Sequence, residues 1–432
     1  MVPRFCPPTA PFPLLPNLRS LDRTIESHLH CHDSALPSSR TLEVRVWDLS
    51  RLLSPSLRTL EVNVWDFHIP PNPRYQYRLS LPIDEIRSSL RYFAEVEDPD
   101  RSDTDNLFSA VKRSLKELQN LDTITWKDLG SEAILSLAQL PALRHATFDV
   151  PVDFATYIEL RSPTAKHPFS RLDELEITHQ TDASVATFLY YFDFHSLKNI
   201  CITSSCPSAS MGTQAFNDAL TSSLSCETIR EISIFDQSSA STSNPAGFHP
   251  IGINELRPLL RLDGLKYMSL GVQHPIVLDD AMLLALAEAW PHLVTLHLNQ
   301  YRCWHAGSHV TPPAFITLLE RCPDLEEPSI PLDLSTVDSE AAGFDTTLSP
   351  IKASAQDGKG ARAELTELWL GPYTITHPHA VARFLDAVLP ESARTHMLSS
   401  RSEEVAACDR SFRQTIEYRL QMRKEKREQC GQ

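Results

Sequence analysis

His28, His30, Cys31, His32 and Asp33 form the densest run of metal-ligating side chains in the 432-residue sequence. His28 and His30 alternate, so on a strand they would share a face and could offer two imidazole nitrogens to zinc. No fourth ligand accompanies them at a suitable spacing, and a metal site needs a closed ligand set with a supporting shell. The run reads as a polar loop. The segment Asp98-Pro99-Asp100-Arg101-Ser102-Asp103-Thr104-Asp105 has the acidic spacing of a calcium loop, but it lacks glycine at the sixth place and has Ser109 where a bidentate glutamate belongs. Its carboxylates are expected to cap the helical pattern Asp103–Leu118, because negative charge is favourable at a helix N-terminus. Neither a metal nor a cofactor is expected.

Catalytic chemistry has no other foothold. The sequence contains no G-x-S-x-G, P-loop, G-x-G-x-x-G or H-E-x-x-H pattern, and its 12 glycines leave little for phosphate-cradling loops. No enzyme activity is expected. Nine cysteines, odd in number and without a C-x-x-C pair, read as free thiols of a reducing compartment. The formal charge of −15 disfavours nucleic acid as a partner, since an acidic surface repels phosphate. The N-terminus has no apolar stretch of signal-peptide length, and the longest apolar run, near Met282–Ala287, is too short to cross a bilayer. The cytosol or nucleus is the expected location, with no membrane partner.

Side chains suited to protein recognition are more evident. Arg40–Asp48 and Arg58–Asp66 are near-duplicates, each ending in Val-Trp-Asp. A propeller is rejected, because blades repeat at about 40–45 residues with a Gly-His partner, whereas these copies are 18 apart. Alternation with Leu42, Val44 and Val46 inside puts Trp47 on the outer face, and the second copy does the same for Glu61, Asn63 and Trp65. Trp369, between Leu368 and Leu370, also faces outward. Outward aromatics on a sheet suit a protein ligand, since indoles dominate interface energetics. The candidate surface is Trp47, Glu61, Asn63, Trp65, Thr125, Glu176, Ser233, His297 and Trp369.

The elements that position these residues follow from one recurring template, L-x-x-L-x-L. Clear copies are Leu57-Leu60-Val62, Leu121-Ile124-Trp126, Leu172-Leu175-Ile177, Leu197-Ile200-Ile202, Ile229-Ile232-Ile234, Leu265-Met268-Leu270, Leu293-Leu296-Leu298 and Leu365-Leu368-Leu370. Weaker copies are Leu18-Leu21, Leu90-Phe93, Leu143-Ala146-Phe148 and Leu325-Pro328-Ile330. Their spacing, roughly 22 to 40 residues, brackets the leucine-rich-repeat period. The alternating last residues mark a short strand buried on one face. Helical stripes lie between, as at Leu278–Trp290 and after Thr311-Pro312-Pro313, where a capping hydroxyl is expected ahead of prolines at the first helical positions. A strand–helix–strand order makes neighbouring strands parallel. The expected fold is therefore α/β, a leucine-rich-repeat-like solenoid with a curved parallel sheet on the concave face and helices on the convex face. Pro-x-Leu punctuation, as in Trp290-Pro291-His292-Leu293, ends a helix and aims the chain into the next strand.

The boundaries expected are a Pro-rich segment at 1–16, an irregular solenoid at 17–338, a flexible insertion at 339–363, a last repeat with its helix at 364–400, and a charged amphipathic helix at 401–432. Asp236–Pro250 reads as a further flexible insertion. In the last helix, Phe412, Ile416 and Leu420 are expected to cover the solenoid end, while Arg419, Arg423, Lys424, Lys426 and Arg427 alternate with glutamates on a solvated surface.

The Cys322-Pro323-Asp324-Leu325 unit, the stretch from Leu278-Asp279-Asp280 to Ala289-Trp290-Pro291, and His379-Ala380-Val381-Ala382-Arg383-Phe384-Leu385 together resemble the fungal F-box proteins with leucine-rich repeats expanded in mushroom-forming species. The resemblance implies a substrate-recognition subunit of a cullin-type ubiquitin ligase, with the repeats choosing a protein substrate and an N-terminal F-box docking a Skp-type adaptor. Pro3–Pro16 leads directly into the first repeat, so an F-box is expected to lie upstream or to be missing. A binding scaffold unconnected to ubiquitylation is the alternative.

Overall fold

The computed structural model describes residues 20–24, 59–63, 92–96, 115, 118–126, 129–159, 168–205, 213–236, 250–272, 274–299, 310–335, 337, 365–370, 375–390, 392–397 and 403–430. The histidine run at 28–33, the acidic segment 98–105, Trp47, Trp65 and the insertions 237–249 and 339–363 lie outside these residues. So does the Asp103–Leu118 helix apart from Leu115 and Leu118, both buried.

Two compact units make up the chain, Met1–Thr178 with Phe192–Ser196, and His179–Tyr191 with Leu197–Gln432. The first contains strands β1 (Ser20–Thr24), β2 (Thr59–Asn63), β3 (Tyr92–Val96), β4 (Thr123–Thr125), β5 (His145–Val150) and β6 (Glu174–His179, whose last residue falls in the second unit), in that spatial order. The pairs from β1 to β5 are parallel. Helices α1 (Ser131–Leu137) and α2 (Phe154–Glu159) follow β4 and β5. Its core holds Trp126, Phe148 and a cluster of Phe154, Phe169, Phe192 and Phe194, with ring centroids 4.9 to 6.2 Å apart among the contacting pairs.

Seven strands form the second unit in sequence order, all paired parallel: β7 (Asn199–Ser204), β8 (Glu231–Asp236), β9 (Tyr267–Gly271), β10 (Thr295–Leu298), β11 (Glu327–Ile330), β12 (Glu367–Leu370) and β13 (Arg394–Met397). Helices α3 (Asp182–Tyr191), α4 (Gln214–Ser223), α5 (Ile253–Leu256), α6 (Asp280–Ala289), α7 (Pro312–Arg321) and α8 (Pro378–Val388) alternate with them, and α9 (Glu403–Cys430) ends the chain. Helices α3 and α4 pack together, as do α6 and α7. The architecture is the α/β, leucine-rich-repeat-like solenoid. Strand β13 has no leucine template, because Thr395 and Met397 stand in register with Leu368 and Leu370.

The template residues are the core. In each of the repeats 197-200-202, 229-232-234, 265-268-270 and 293-296-298 all three side chains are essentially without exposure. Each such burial contributes about 1.5–3 kcal/mol, and the triads stack strand upon strand because the register places Ile200, Ile232, Met268 and Leu296 in one row.

A tight turn feeds each strand. The amide of Leu293 donates to Trp290 O at 3.1 Å, and that of Leu325 to Cys322 O at 3.1 Å. The proline of the Pro-x-Leu punctuation thus occupies the second turn position, where its fixed φ fits and no N–H is needed. Beyond the turn, one carbonyl accepts two consecutive amides from the next repeat. Lys198 O takes Arg230 and Glu231, Arg230 O takes Lys266 and Tyr267, Lys266 O takes Val294 and Thr295, and Val294 O takes Glu326 and Glu327. The link from helix to strand is five residues long in 290–294, 322–326 and 389–393 and seven in 224–230. Links from strand to helix differ widely, from 371–377 to 237–252.

Three expectations are corrected. The Thr311 hydroxyl does not cap α7; it donates to Asp280 Oδ2 at 2.7 Å while its amide donates to Oδ1 at 2.7 Å, so the carboxylate of one helix start anchors the next. Leu420 does not belong to the buried stripe of α9 and is 60% exposed. The stripe facing α8 is instead Phe412, Thr415, Arg419 and Arg423, because three- and four-residue steps keep those positions on one side and carry Leu420 off it. Arg419 and Arg423 are therefore not solvated. Arg419 donates to Ala393 O at 3.4 Å and Pro390 O at 3.2 Å, and Arg423 to Asp386 Oδ1 at 3.0 Å and Pro390 O at 3.1 Å. Burial pushes the Arg419 guanidinium down to about 10. The pair ties α9 to the link that follows α8. Among the described residues no helix is long and apolar enough to cross a membrane.

Asn299 ends β10 with φ of 51°, a left-handed conformation that asparagine tolerates. It is fully buried, its amide donates to Leu270 O at 2.6 Å, its Oδ1 accepts from Val272 N at 3.0 Å, and its Nδ2 donates to His274 O at 2.9 Å. Asn299→Ala orphans two buried backbone groups and strains the turn, and is expected to cost about 2–4 kcal/mol. A lowered urea midpoint checks this, and an unchanged midpoint refutes it.

Candidate functional site: the open face of the sheet

Alternation along each strand turns one side chain into the core and the next away from the helices. In the second unit the outward positions form a cross-strand row, Cys201, Ser233, Ser269, His297, Ser329, Trp369 and His396, in register on seven adjacent strands. Three expected residues, Ser233, His297 and Trp369, share this row. Two residues earlier on the same strands stand Asn199, Glu231, Tyr267, Thr295, Glu327, Glu367 and Arg394. The row begins with small side chains and ends with large rings. Tyr267 is 42% exposed beside the small-residue stretch.

The large-residue end has defined geometry. Trp369 stacks on His396 with centroids 4.3 Å apart and planes 20° from parallel, and its Nε1 donates to Glu367 Oε2 at 3.2 Å. The same oxygen is 3.7 Å from His396 Nε2, while Glu327 Oε2 is 3.7 Å from His297 Nε2. Each carboxylate thus has an imidazole of the neighbouring strand at the same distance, Glu367 that of β13 and Glu327 that of β10. Burial, then Glu367, then Glu326 hold the Glu327 carboxyl above its usual range. Burial pushes the His297 imidazole below its ordinary value, against the opposing pull of Glu367. Ser329, two residues after Glu327, is fully buried, and among the described residues its Oγ, with His297 Nε2 and His396 Nε2, has no hydrogen-bond partner. Pro328 precedes it and supplies no N–H, and pairing of β11 with β12 is confined to Ser329↔Trp369 and Ile330↔Leu370.

In the first unit, Thr125 pairs in register with Thr147, whose hydroxyl donates to Glu176 at 3.5 Å, so two expected residues meet through a third. Glu61 lies in the same register row through Ala94, and Asn63 pairs with Thr24 and Val96. Thr123 Oγ1 is 3.3 Å from His145 Nδ1, and Glu174 is 3.7 Å from Nε2, the order of a hydroxyl–imidazole–carboxylate relay. The hydroxyl also donates to Asp122 at 3.3 Å, and Arg144 reaches Asp122 at 3.6 Å. With the ring 39% exposed, this is an ion-pair network in water. Cys322 offers no nucleophile, since burial pushes its thiol up to about 11 and its Sγ lies 3.4 Å from Trp290 O. Among the described residues no group of three metal-ligating side chains is placed to hold an ion.

Sequence reasoning missed Glu327, Glu367 and His396. Glu327 and Glu367 occupy outward positions of template copies and were readable from alternation, whereas His396 sits on the strand without a template.

No family model matches the chain, and no curated protein matches it. Among solved structures it is similar to the crystal structure of the Rad7 and Elc1 complex in yeast. Identity is 12%, the match covers 84% of this chain and 89% of that one, and the TM-score is 0.35.

The His297 environment sets a pH dependence. Its folded value lies below the ordinary 6.5, so the unfolded chain takes up the proton first and stability falls as pH drops below about 6.5. Glu327, raised when folded, acts in the opposite sense above its ordinary 4.5. His297→Gln is expected to flatten the loss between pH 7 and 5.5, read from denaturation midpoints; an unaltered slope refutes the assignment.

Proposed function

We propose that this chain is a protein–protein interaction module whose ligand lies across the open face of the second unit. The observation that carries the reading is the in-register row from Cys201 to His396, ending in the stacked Trp369 and His396. Seven strands at a spacing of about 4.8 Å give a platform roughly 29 Å across, comparable in reach with a standard interface of about 800 Å² per partner. Small residues at one end allow close approach, and the indole at the other supplies the kind of anchor on which binding energy concentrates. The reading assigns no reaction to the chain and places it in the cytosol or nucleus.

The family resemblance carries the proposal one step further, to the substrate-recognition subunit of a cullin-type ubiquitin ligase. A scaffold unconnected to ubiquitylation is the other form of the same reading. Co-precipitation with a Skp-type adaptor separates the two, retention favouring the ligase subunit and its failure the scaffold.

The module itself is tested with a photo-cross-linking amino acid placed at Ser233 or Ser269 on the open face, or at Glu320 on the exposed side of α7. One defined protein is expected to cross-link from both sheet positions and not from Glu320, and Trp369→Ala is expected to weaken its capture at least tenfold. Cross-linking confined to the helix position sinks the proposal.

A further inference from the structure

The large-residue end of the open face holds a chemical imbalance. Glu327 and Glu367 stand on adjacent strands and, among the described residues, face no cation at hydrogen-bonding distance. Arg394, in register with Glu367, is exposed and forms no ion pair with it among the described residues. Like charges side by side on a sheet are destabilising. Among the described residues the fully buried Ser329 hydroxyl, in register with Trp369, has no hydrogen-bond partner, and neither has the Nε2 of His297 or of His396. Every unmet group here is an acceptor or can act as one. A buried polar atom without a partner is destabilising, so a ligand whose entry opens the cluster and supplies donors gains from each one it satisfies.

We infer that Glu327, Glu367, Ser329, His297 and the Trp369–His396 stack form a recognition site for the guanidinium of an arginine in a partner protein. The inference rests on the interaction-module reading and names the chemistry of its anchor. Guanidinium is planar, permanently charged and rich in donors, with five N–H groups and no acceptor. Two carboxylates can each receive its N–H pairs, the serine and imidazole take others, and the adjacent indole favours a flat cation. An ammonium has fewer donors and no plane. An anionic ligand would meet two carboxylates.

The probe is the blocked tripeptide acetyl-Ala-Arg-Ala methylamide, titrated into the full chain carrying ¹³C-labelled histidine. The control replaces arginine by citrulline, which keeps the shape and removes the charge. The arginine peptide is expected to shift the His297 and His396 resonances and to bind at least tenfold more tightly than the citrulline peptide. The isosteric E327Q/E367Q variant, shown to be folded by its unfolding midpoint, is expected to lose at least tenfold. Equal binding of the two peptides, or unchanged binding by the variant, overturns the inference. Tighter binding of free arginine than of the peptide also overturns it, in favour of a small-molecule site, and a response to zinc with none to the peptide does so in favour of a metal. A partner cross-linked from Ser233 and Ser269 without any arginine response leaves the interaction module standing and removes only this site.

Discussion

The doubly used carbonyl before strands β8 to β12 governs the second unit. Lys198, Arg230, Lys266 and Val294 each present one oxygen to two consecutive amides of the following repeat, so every strand begins at a height fixed by its predecessor. That fixed start lets three apolar side chains per repeat fall into rows, and burial of those rows supplies the stabilising free energy. It also sets the parity of every strand. A one-residue slip would turn the leucines outward and the open-face residues inward.

Much of this was legible in the sequence. The L-x-x-L-x-L template located the strands from Leu121 to Leu370, and the Pro-x-Leu punctuation marked turns whose hydrogen bonds fall on Trp290 and Cys322. Both signals are local, residues acting on chain neighbours. What escaped depends on partners far away in sequence. Arg419 has the composition of a solvated helix surface, yet it is buried against the link that follows α8, where it donates to the carbonyls of Pro390 and Ala393. Thr311 has the position of a cap, yet its hydroxyl is taken by Asp280 from the preceding repeat.

The candidate site divides in the same way. Alternation alone places Ser233, His297 and Trp369 on one face, but it does not say which outward residues meet. The cluster depends on β13, where Thr395 fills a leucine slot and hides the repeat. Once that strand is in place, His396 stacks on Trp369 and lies 3.7 Å from Glu367 Oε2. The site is a product of cross-strand register, and no single repeat contains it.

The contrast between the two kinds of link has a consequence for how such a chain changes over time. Residues 290–294 and 322–326 are each closed by a turn and end on a carbonyl shared by two amides of the following repeat, so an insertion there would displace a strand. The opposite links already differ more than twofold in length. Because all strands of the unit run the same way, these tolerant positions gather along a single border. Lineages can lengthen that border, or a laboratory can splice a foreign domain after Asp236 or Asn299, while the ladder keeps its step. The second unit thus has one margin that is constrained by geometry and one that is open to growth.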